Sequence, residues 1–490
     1  MPDPRLTLAI AGARVTSLAA RLSRRGGGTA APGLVAERFD PRALGKLGAA
    51  LRDGVLVVAG TNGKTTTAHM VATILDHAGR RVVHNRSGSN LVRGVLAALA
   101  AQSSLLGQPD GDVGVIEADE AAMPAIVAAL RPRHILLNNL FRDQLDRYGE
   151  LDTIARRWRE AVNTLDARTT LLVNGDDPML VGVARDLSPE RIAYFGLDLG
   201  TAAGDRRLRL DTLPHAADAA HCTRCGTRLA YHALYLSHLG DWYCPACGHA
   251  RPPLTIAARA IHLEGVKSLT LEVGNGTIEA GSRETSHFPL PTSDFQLHVP
   301  LPGLYNAYNA LAATTAALAF GVQPEQIGTA LAGFRAAFGR IERVPFEGRE
   351  IILALVKNPT GFNEVLRMLV GGETAGVSTP TLLAINDLDA DGRDVSWLWD
   401  VDFEVLAEGD APLHTAGIRG PDMAVRLKYA GIATDRIVPH PPDDLRRAIL
   451  DFVHAAPHGA TVYILPTYTA MLEIRRILAD LGAVKEFWQQ

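Results

Sequence analysis

VLVVAGTNGKTTTAHMVATILDHAG, residues 55–79, is the stretch whose reading decides the fold. Its first five residues are a continuous apolar run, the pattern of a strand buried on both faces within a parallel sheet. From Gly63 onward the apolar positions fall at helical spacing, so a helix follows the strand. Between the two lies GTNGKTTT (60–67), a glycine-rich turn that ends in Lys-Thr. Glycines let backbone N–H groups approach phosphate oxygens, and the helix N-terminus adds positive dipole. In that arrangement Lys64 would reach the terminal phosphates of a nucleotide and the Thr65 hydroxyl would ligate Mg2+. The complete GxxxxGK[ST] pattern would have glycine at Val58. A glycine turn that only caps a helix would leave Lys64 without a purpose.

Working outward, RVVHN (81–85), VGVIEAD (113–119), HILLNN (134–139) and TTLLVNGDD (169–177) read as further apolar strands separated by helical stretches. Such alternation predicts a doubly wound parallel sheet. The third strand ends in Glu117, Asp119 and Glu120, where Mg2+ beside a phosphate loop needs hard oxygen ligands. Glu117 is the expected ligand; helix capping is the alternative for an acidic strand end. From about 205 to 300 the pattern changes to short alternating strands, followed by the helix NAYNALAATTAALAFG (306–321). Strand–helix alternation then restarts in REIILALVKN (349–358), TPTLLAINDLDADG (379–392), APLHTAGIRG (411–420) and ATVYILPTYT (460–469). The expected organisation is an N-terminal helical segment over 1–50, interrupted by the turn RRGGGTAAPG (24–33). An ATP-binding domain over 51–340 and a C-terminal α/β domain over 345–490 follow.

Inside the β-rich part, Cys222-x2-Cys225 and Cys244-x2-Cys247 are separated by eighteen residues, the spacing of a four-cysteine zinc ribbon, inserted over 219–252. Gly226 and Gly248 allow each knuckle to close. Four thiolates leave no open coordination position, so the zinc would be structural. Two disulfides or a redox pair are the alternatives, and His221 and His249 read as neighbours that support the ligands or face solvent, and not as ligands. Arg224, Arg228 and Arg251 interleave with Tyr231, Tyr235, Trp242 and Tyr243, a mixture that could stack bases. The net charge of −4 argues against a nucleic-acid partner. These four are the only cysteines, so no thiol remains to act as the nucleophile of a glutaminase.

A chain of 490 residues, 47% hydrophobic and 21% charged, fits a soluble protein of two or three domains. No charge-free run of about 20 apolar residues predicts a transmembrane span, and the expected location is the cytoplasm. The N-terminal segment reads as an amphipathic helix packed on the body, with light contact to a membrane surface as the alternative. In the C-terminal part, Lys357, Asn358 and Asn363 sit at a strand-to-helix junction that could receive a carboxylate or phosphate. Capping by Thr360, with Pro359 ending the strand, accounts for the same residues. NDLDADGRDVSWLWD (386–400) concentrates Asp387, Asp389, Asp391 and Asp394 ahead of two tryptophans, which points to function.

GTNGKTTT, EADE, LNNLFRDQLDRYGE, LVNGDDP, GLYNAYNALAA and GRIE, in that order, resemble the Mur ligase superfamily. HNRSGSNL, FRDQLDRYGE, the cysteine ribbon and DGRDVSWLWD are similar to the MurT family within it, the ligase subunits of lipid II isoglutaminyl synthase. The resemblance runs from about residue 55 onward. It implies ATP-dependent activation of a carboxylate as an acyl phosphate, which an amine then attacks. By matching motif, Gly60, Thr61, Asn62, Gly63, Lys64, Thr65 and Thr66 would cradle the phosphates of ATP. Asn309 would contact the adenine and Arg340 the ribose or phosphates, while Asn139 and Asp177 would lie near nucleotide or substrate. A plain helix residue and an ion pair with Glu342 are the alternatives for Asn309 and Arg340. The family also implies a separate class-I glutaminase partner (GatD-like) in a heterodimer, acting on lipid II at the inner membrane face. An aspartate of the 387–394 loop would orient that partner's catalytic histidine, with Asp394 the first choice and Asp391 the reserve.

Two departures from amino-acid-adding Mur ligases stand out. Only about 55 residues precede the loop, fewer than a nucleotide-sugar-binding domain needs. No lysine lies between Lys64 and Lys267, and Gln144 replaces a histidine of the relatives, so a conventional second Mg2+ site is not expected. An amino-acid-adding ligase of the folylpolyglutamate synthase type, and a zinc-ribbon nucleic-acid module, are the competing readings.

Overall fold

The computed structural model describes residues 3–22, 30–85, 89–142, 151–200, 210, 212–214, 217–265, 267–276, 288–335, 341–370 and 379–484. They form two compact units divided near residue 335, each built on its own sheet.

The first sheet begins with β1 (Val55–Ala59), β2 (Val82–His84), β3 (Val113–Glu117), β4 (His134–Leu137), β5 (Thr170–Asn174) and β6 (Ile192–Leu197). A separate antiparallel hairpin, β7 (Ala230–Leu236) and β8 (Leu239–Tyr243), carries the cysteine region. Then β9 (Ile256–Glu264), β10 (Ser268–Asn275) and β11 (Phe295–Val299) complete nine strands in the order β11-β10-β9-β6-β5-β4-β1-β3-β2. Strands β1 to β6 pair in parallel, as does β6 with β9, whereas β9, β10 and β11 pair antiparallel. The parallel centre is buried at every position of β1, β3 and β4, as apolar runs require when helices cover both faces. β11 alternates buried and exposed, in keeping with a face left to solvent.

Register positions the site. Val58 lies beside Glu117, Ala59 beside Leu137 and Leu137 beside Val173, so the chain leaves β1, β3, β4 and β5 on one edge. That C-terminal edge of a parallel sheet is where ligands bind in α/β folds.

Among the described residues, three helices precede β1: α1 (Pro4–Leu22), α2 (Ala30–Phe39) and α3 (Ala43–Ala49). The AAPG end of the glycine-rich turn belongs to α2, because proline is tolerated in a first helical turn. Gly33 is required there, since a Cβ would come within 1.8 Å of the Arg93 carbonyl oxygen. Leu6, Ala9, Ile10 and Ala13 of α1 enter the same core as Val57, Ile116 and Leu137.

The second unit is a six-stranded sheet of β12 (Ile341–Phe346), β13 (Arg349–Ala354), β14 (Thr381–Ala384), β15 (Leu413–Ala416), β16 (Ile437–Pro439) and β17 (Thr461–Pro466). Their order is β12-β13-β17-β14-β15-β16, parallel apart from the β12–β13 hairpin. Ile351, Leu382, Phe452, Ile464 and Met471 lie in its core. The expected α/β class, with parallel strands in both sheets and a cysteine ribbon between β6 and β9, is what the chain adopts.

Candidate functional site

The phosphate loop opens from β1 and ends at α4 (Lys64–His77). Gly60 and Gly63 have φ of 152° and 80°, so the backbone turns through conformations open to glycine. A Cβ on Gly63 would stand 2.0 Å from Asn309 Oδ1, which leaves no room for any other residue. The loop is shaped by other parts of the first unit rather than by its own residues. Asn62 N–H donates to Asn139 Oδ1 at 2.8 Å, and Asn139 Nδ2 donates back to Asn62 O at 2.9 Å. Thr61 Oγ1 donates to Phe141 O and accepts from Phe141 N–H, both at 3.0 Å.

Behind the loop, Asn309 is buried on the helix Leu304–Ala319. Its Oδ1 accepts from Thr67 Oγ1 (3.2 Å) and from Asn138 Nδ2 (3.1 Å), and its Nδ2 donates to Asn306 Oδ1 (3.1 Å). The structure therefore joins Asn309 to the back of the loop, where its amide links the Thr67 hydroxyl to the Asn138 amide. Asp177 is fully buried and caps the helix Pro178–Ala184 through Met179 N–H (2.9 Å) and Leu180 N–H (3.3 Å). Its other oxygen accepts from Leu140 N–H at 2.8 Å, so it holds the 139–141 segment from beneath. With no solvent exposure and both oxygens accepting backbone N–H groups, Asp177 supports the segment that holds the loop. Arg340 lies outside the described residues, as does Gln144.

Lys64 Nζ is buried, 2.9 Å from Glu120 Oε1 and 3.1 Å from Thr61 O. Among the three carboxylates after β3, Glu120 is thus the lysine's partner. Glu117 is buried one strand-end earlier, its backbone N–H and C=O clamped by the Asn85 amide at 2.9 Å each. Asp119 accepts from Ala121 N–H at 3.1 Å in a turn that aims the run back toward the loop. A nucleotide and Mg2+ fit these residues: a cradle that only glycine can form, a buried ammonium, and the hard oxygens of Thr65, Glu117 and Glu120 on one sheet edge.

The cysteine region is equally definite. The Sγ atoms of Cys222, Cys225, Cys244 and Cys247 all lie within 4.8 Å of one another, with 3.7 Å between Cys222 and Cys247 and 3.4 Å between Cys225 and Cys244. Zn–S bonds of about 2.3 Å would set tetrahedral S···S edges of about 3.8 Å, so the four thiols fit a zinc ion. Each knuckle closes alike: Gly226 N–H donates to Cys222 O and Gly248 N–H to Cys244 O, with φ of 74° and 70° at the glycines. Trp242 is completely buried and donates Nε1–H to Gly175 O at 3.1 Å, so it packs the ribbon onto the sheet and is not a stacking platform. Arg251 Nη1 donates to Asp176 Oδ1 (3.0 Å), and Tyr308 OH donates to Asp176 Oδ2 (2.7 Å). Burial pushes the Asp176 carboxyl upward against the opposing pull of Arg251, and the same burial raises Tyr308 well above its usual range. Asp176, Arg251 and Tyr308 form an anchor that spacing alone does not reveal; the adjacent acids of GDDP were its only signal.

In the second unit, Asn358 is the cap of the helix Pro359–Val370, accepting from Gly361 N–H at 2.8 Å, in place of Thr360. Asn363 is tied to Asp402 in both directions, at 2.8 and 2.9 Å. The acidic loop separates into committed and available members. Asp387 pairs with Arg419 at 2.8 Å. Asp391 accepts from Thr469 N–H (2.8 Å), from the Thr469 hydroxyl and from Leu388 N–H (3.2 Å), so it braces the start of the helix Tyr468–Asp480. Asp394 is exposed, and its contact to Ser396 N–H at 2.8 Å holds its carboxyl below the usual range. Asp394 is thus the more exposed of the two, while Asp391 is taken up by Thr469 and Leu388.

The model of the Mur ligase middle domain matches residues 58–215, and that of the MurT ligase C-terminal domain matches 355–471. The chain is similar to the lipid II isoglutaminyl synthase (glutamine-hydrolyzing) subunit MurT of Streptococcus pneumoniae, 32% identical over 95% of each chain. It is 29% identical to the Staphylococcus aureus subunit of the same name, over 93% of this chain and 94% of that one. Among solved structures, a pseudomurein peptide ligase type C from Methanothermus fervidus superposes with a TM-score of 0.65 at 20% identity, covering 88% of this chain and 79% of that one. MurF from Acinetobacter baumannii superposes with a TM-score of 0.61 at 17% identity, covering 91% and 80%. These two structural likenesses establish the fold.

Proposed function

The chain belongs to the MurT family of Mur ligases, and from that membership we propose that it is the synthetase subunit that amidates lipid II, with ammonia released by a glutaminase partner. Residues 51–340, with the 219–252 insertion, are the ATP domain, and 345–490 face the partner. The substrate is the α-carboxylate of the D-glutamate in the lipid II stem. Its oxygen attacks the γ-phosphorus of ATP; the bond to the β-phosphate oxygen breaks, leaving ADP and an acyl phosphate. Ammonia then adds to the acyl carbon, the C–O bond to phosphate breaks, a proton is lost, and D-isoglutamine results.

Gly60 to Thr66 would cradle the phosphates through backbone N–H groups, and Lys64 would exchange Glu120 for the transferring phosphate as charge develops there. Mg2+, held by Thr65 and Glu117, would supply charge neutralisation on the phosphate oxygens. Asn139 and Asn309 would keep the loop in shape for that exchange. The observation that carries the reading is the buried Lys64–Glu120 pair inside a loop braced from three sides. The same loop would serve an amino-acid-adding ligase, and the similarity to MurT subunits over 95% of each chain favours amidation; the buried Trp242 removes the main argument for nucleic acid.

The convergence of all four thiols supports an external source of nitrogen. Zinc there would be structural. Asp394, exposed where Asp391 is not, would orient the catalytic histidine of a class-I glutaminase. Purified chain with ATP, Mg2+, lipid II and ammonium is expected to yield ADP and amidated product; absence of both would overturn the proposal. With the partner added, Asp394→Asn is expected to remove glutamine-driven amidation by about a thousandfold while ammonium-driven amidation persists. Equal loss on both nitrogen sources would refute the role of Asp394.

A further inference from the structure

The helix α1 is apolar on two opposite faces. One face, with Leu6, Ala9, Ile10 and Ala13, is in the core. The other carries Leu8, Val15 and Leu18, which are 54%, 68% and 60% exposed. At i, i+7 and i+10 they fall on one stripe of the helix, where a soluble surface helix would place charges. The stripe is widened on both sides. Phe39, 49% exposed, lies against Gly12, whose Cβ would meet its ring at 3.1 Å. Leu106, 64% exposed, belongs to the segment in which Arg14 donates to Ser103 O and Gly107 abuts Leu6.

Charge around this surface is one-sided. Asp3 and Asp40 are both paired with Lys46, at 2.6 and 2.7 Å, and Glu37 with Arg93 at 2.8 Å. Arg5, Arg14, Arg38 and Arg42, on or beside the same helices, have no carboxylate partner among the described residues. Arg5 and Arg14 flank the apolar stripe. An apolar strip bordered by uncompensated arginines is the pattern of a helix that lies in the headgroup–acyl boundary of an anionic membrane. No helix among the described residues is long and apolar enough to cross a membrane, so contact would be in the plane of the surface.

We propose that the outer face of α1, with Phe39 and Leu106 beside it, is a docking surface for an anionic phospholipid membrane. The surface chemistry stands apart from the ligase chemistry; the lipid-linked substrate of the proposed function gives it a purpose and is not its basis. The stripe would enter the boundary while the arginines meet lipid phosphates.

Co-sedimentation of the full chain with extruded vesicles tests this. Binding is expected to phosphatidylglycerol-containing vesicles, to weaken with salt, and to be slight on pure phosphatidylcholine. The variant Leu8→Gln/Val15→Gln/Leu18→Gln is expected to lower the bound-to-free ratio at least about tenfold. Arg5→Gln/Arg14→Gln should lower it on anionic vesicles alone. Since every substituted side chain is exposed, circular dichroism and ammonium-driven amidation of detergent-dispersed lipid II should be unchanged. No binding to anionic vesicles, or equal binding by the triple variant, would overturn the proposal. So would concentration-dependent self-association, or association with the glutaminase, that the triple variant abolishes. Failure of amidation in detergent with vesicle binding intact would count against the ligase reading and not against this one.

Discussion

The phosphate loop and the cysteine ribbon are both glycine-closed turns built to hold a charged guest, yet they are prepared in opposite ways. The loop is finished by the chain itself: Asn139 fixes its backbone, Asn309 and Phe141 hold its threonine hydroxyls, and Glu120 occupies its lysine. The ribbon brings four thiols within 4.8 Å, and at the knuckles themselves, among the described residues, only Leu229 and Trp242, with Val181 beneath, pack as buried apolar neighbours. One site is stable before its ligand arrives; the other needs its ion to be a site at all.

Removing the ion should therefore give the largest effect. Cys244→Ser, or a strong chelator, is expected to release one zinc per chain and expose 219–252 to protease, because structural zinc contributes about 10 kcal/mol to such knuckles. Metal analysis with limited proteolysis reads this out, and a ribbon that stays protected without metal would erase the contrast. Next is the anchor between ribbon and sheet. Arg251→Met leaves Asp176 buried without its cation and should cost about 3 kcal/mol near neutrality. Burial already raises Asp176, and a raised carboxyl stabilises the fold when protonated and loses that contribution as pH rises. The variant's deficit, measured by denaturant unfolding, should therefore be greater at pH 8 than at pH 5.

Two smaller effects sharpen the other half of the comparison. Asn139→Ala removes both hydrogen bonds to Asn62 and should weaken ATP binding roughly tenfold in calorimetry, with a minor change in melting temperature. If the loop shaped itself around ATP, affinity would hardly move. His134 on β4 packs edge-on to Phe320 without hydrogen bonds, and burial with Arg133 nearby depresses it to about 3. A depressed histidine supports the fold above its ordinary pKa near 6.5 and loses that support as pH falls toward 3. At pH 5 the penalty is about 2 kcal/mol, so His134→Leu should narrow the drop in melting temperature between pH 7 and pH 5.

Much of this was legible in residues alone. Valine-rich strands announce a parallel sheet, and the loop and cysteine spacings announce their ligands, because those patterns constrain neighbours in sequence. What stayed hidden depends on contacts across the chain. That Glu120 is the partner of Lys64 follows from a turn after β3, where strand alternation no longer applies. Asn309 reaches the loop over 242 residues, and its sequence context cannot say which way its amide points. Asp391 and Asp394 look alike until Thr469, 78 residues later, claims one of them. Trp242 could have faced solvent, and only the Gly175 carbonyl decides otherwise.

The pairing of β6 with β9 has a topological meaning. Parallel neighbours begin at the same end, so the chain leaving Leu197 must be carried back along the sheet before it can enter at Ile256. In most α/β units a helix makes that return. Here the return path contains the ribbon, so the four thiols sit on a crossover and not on a decorative excursion. With 219–252 cut out, residues 198–218 and 253–255 would have to make the whole return from Leu197 to Ile256 by themselves.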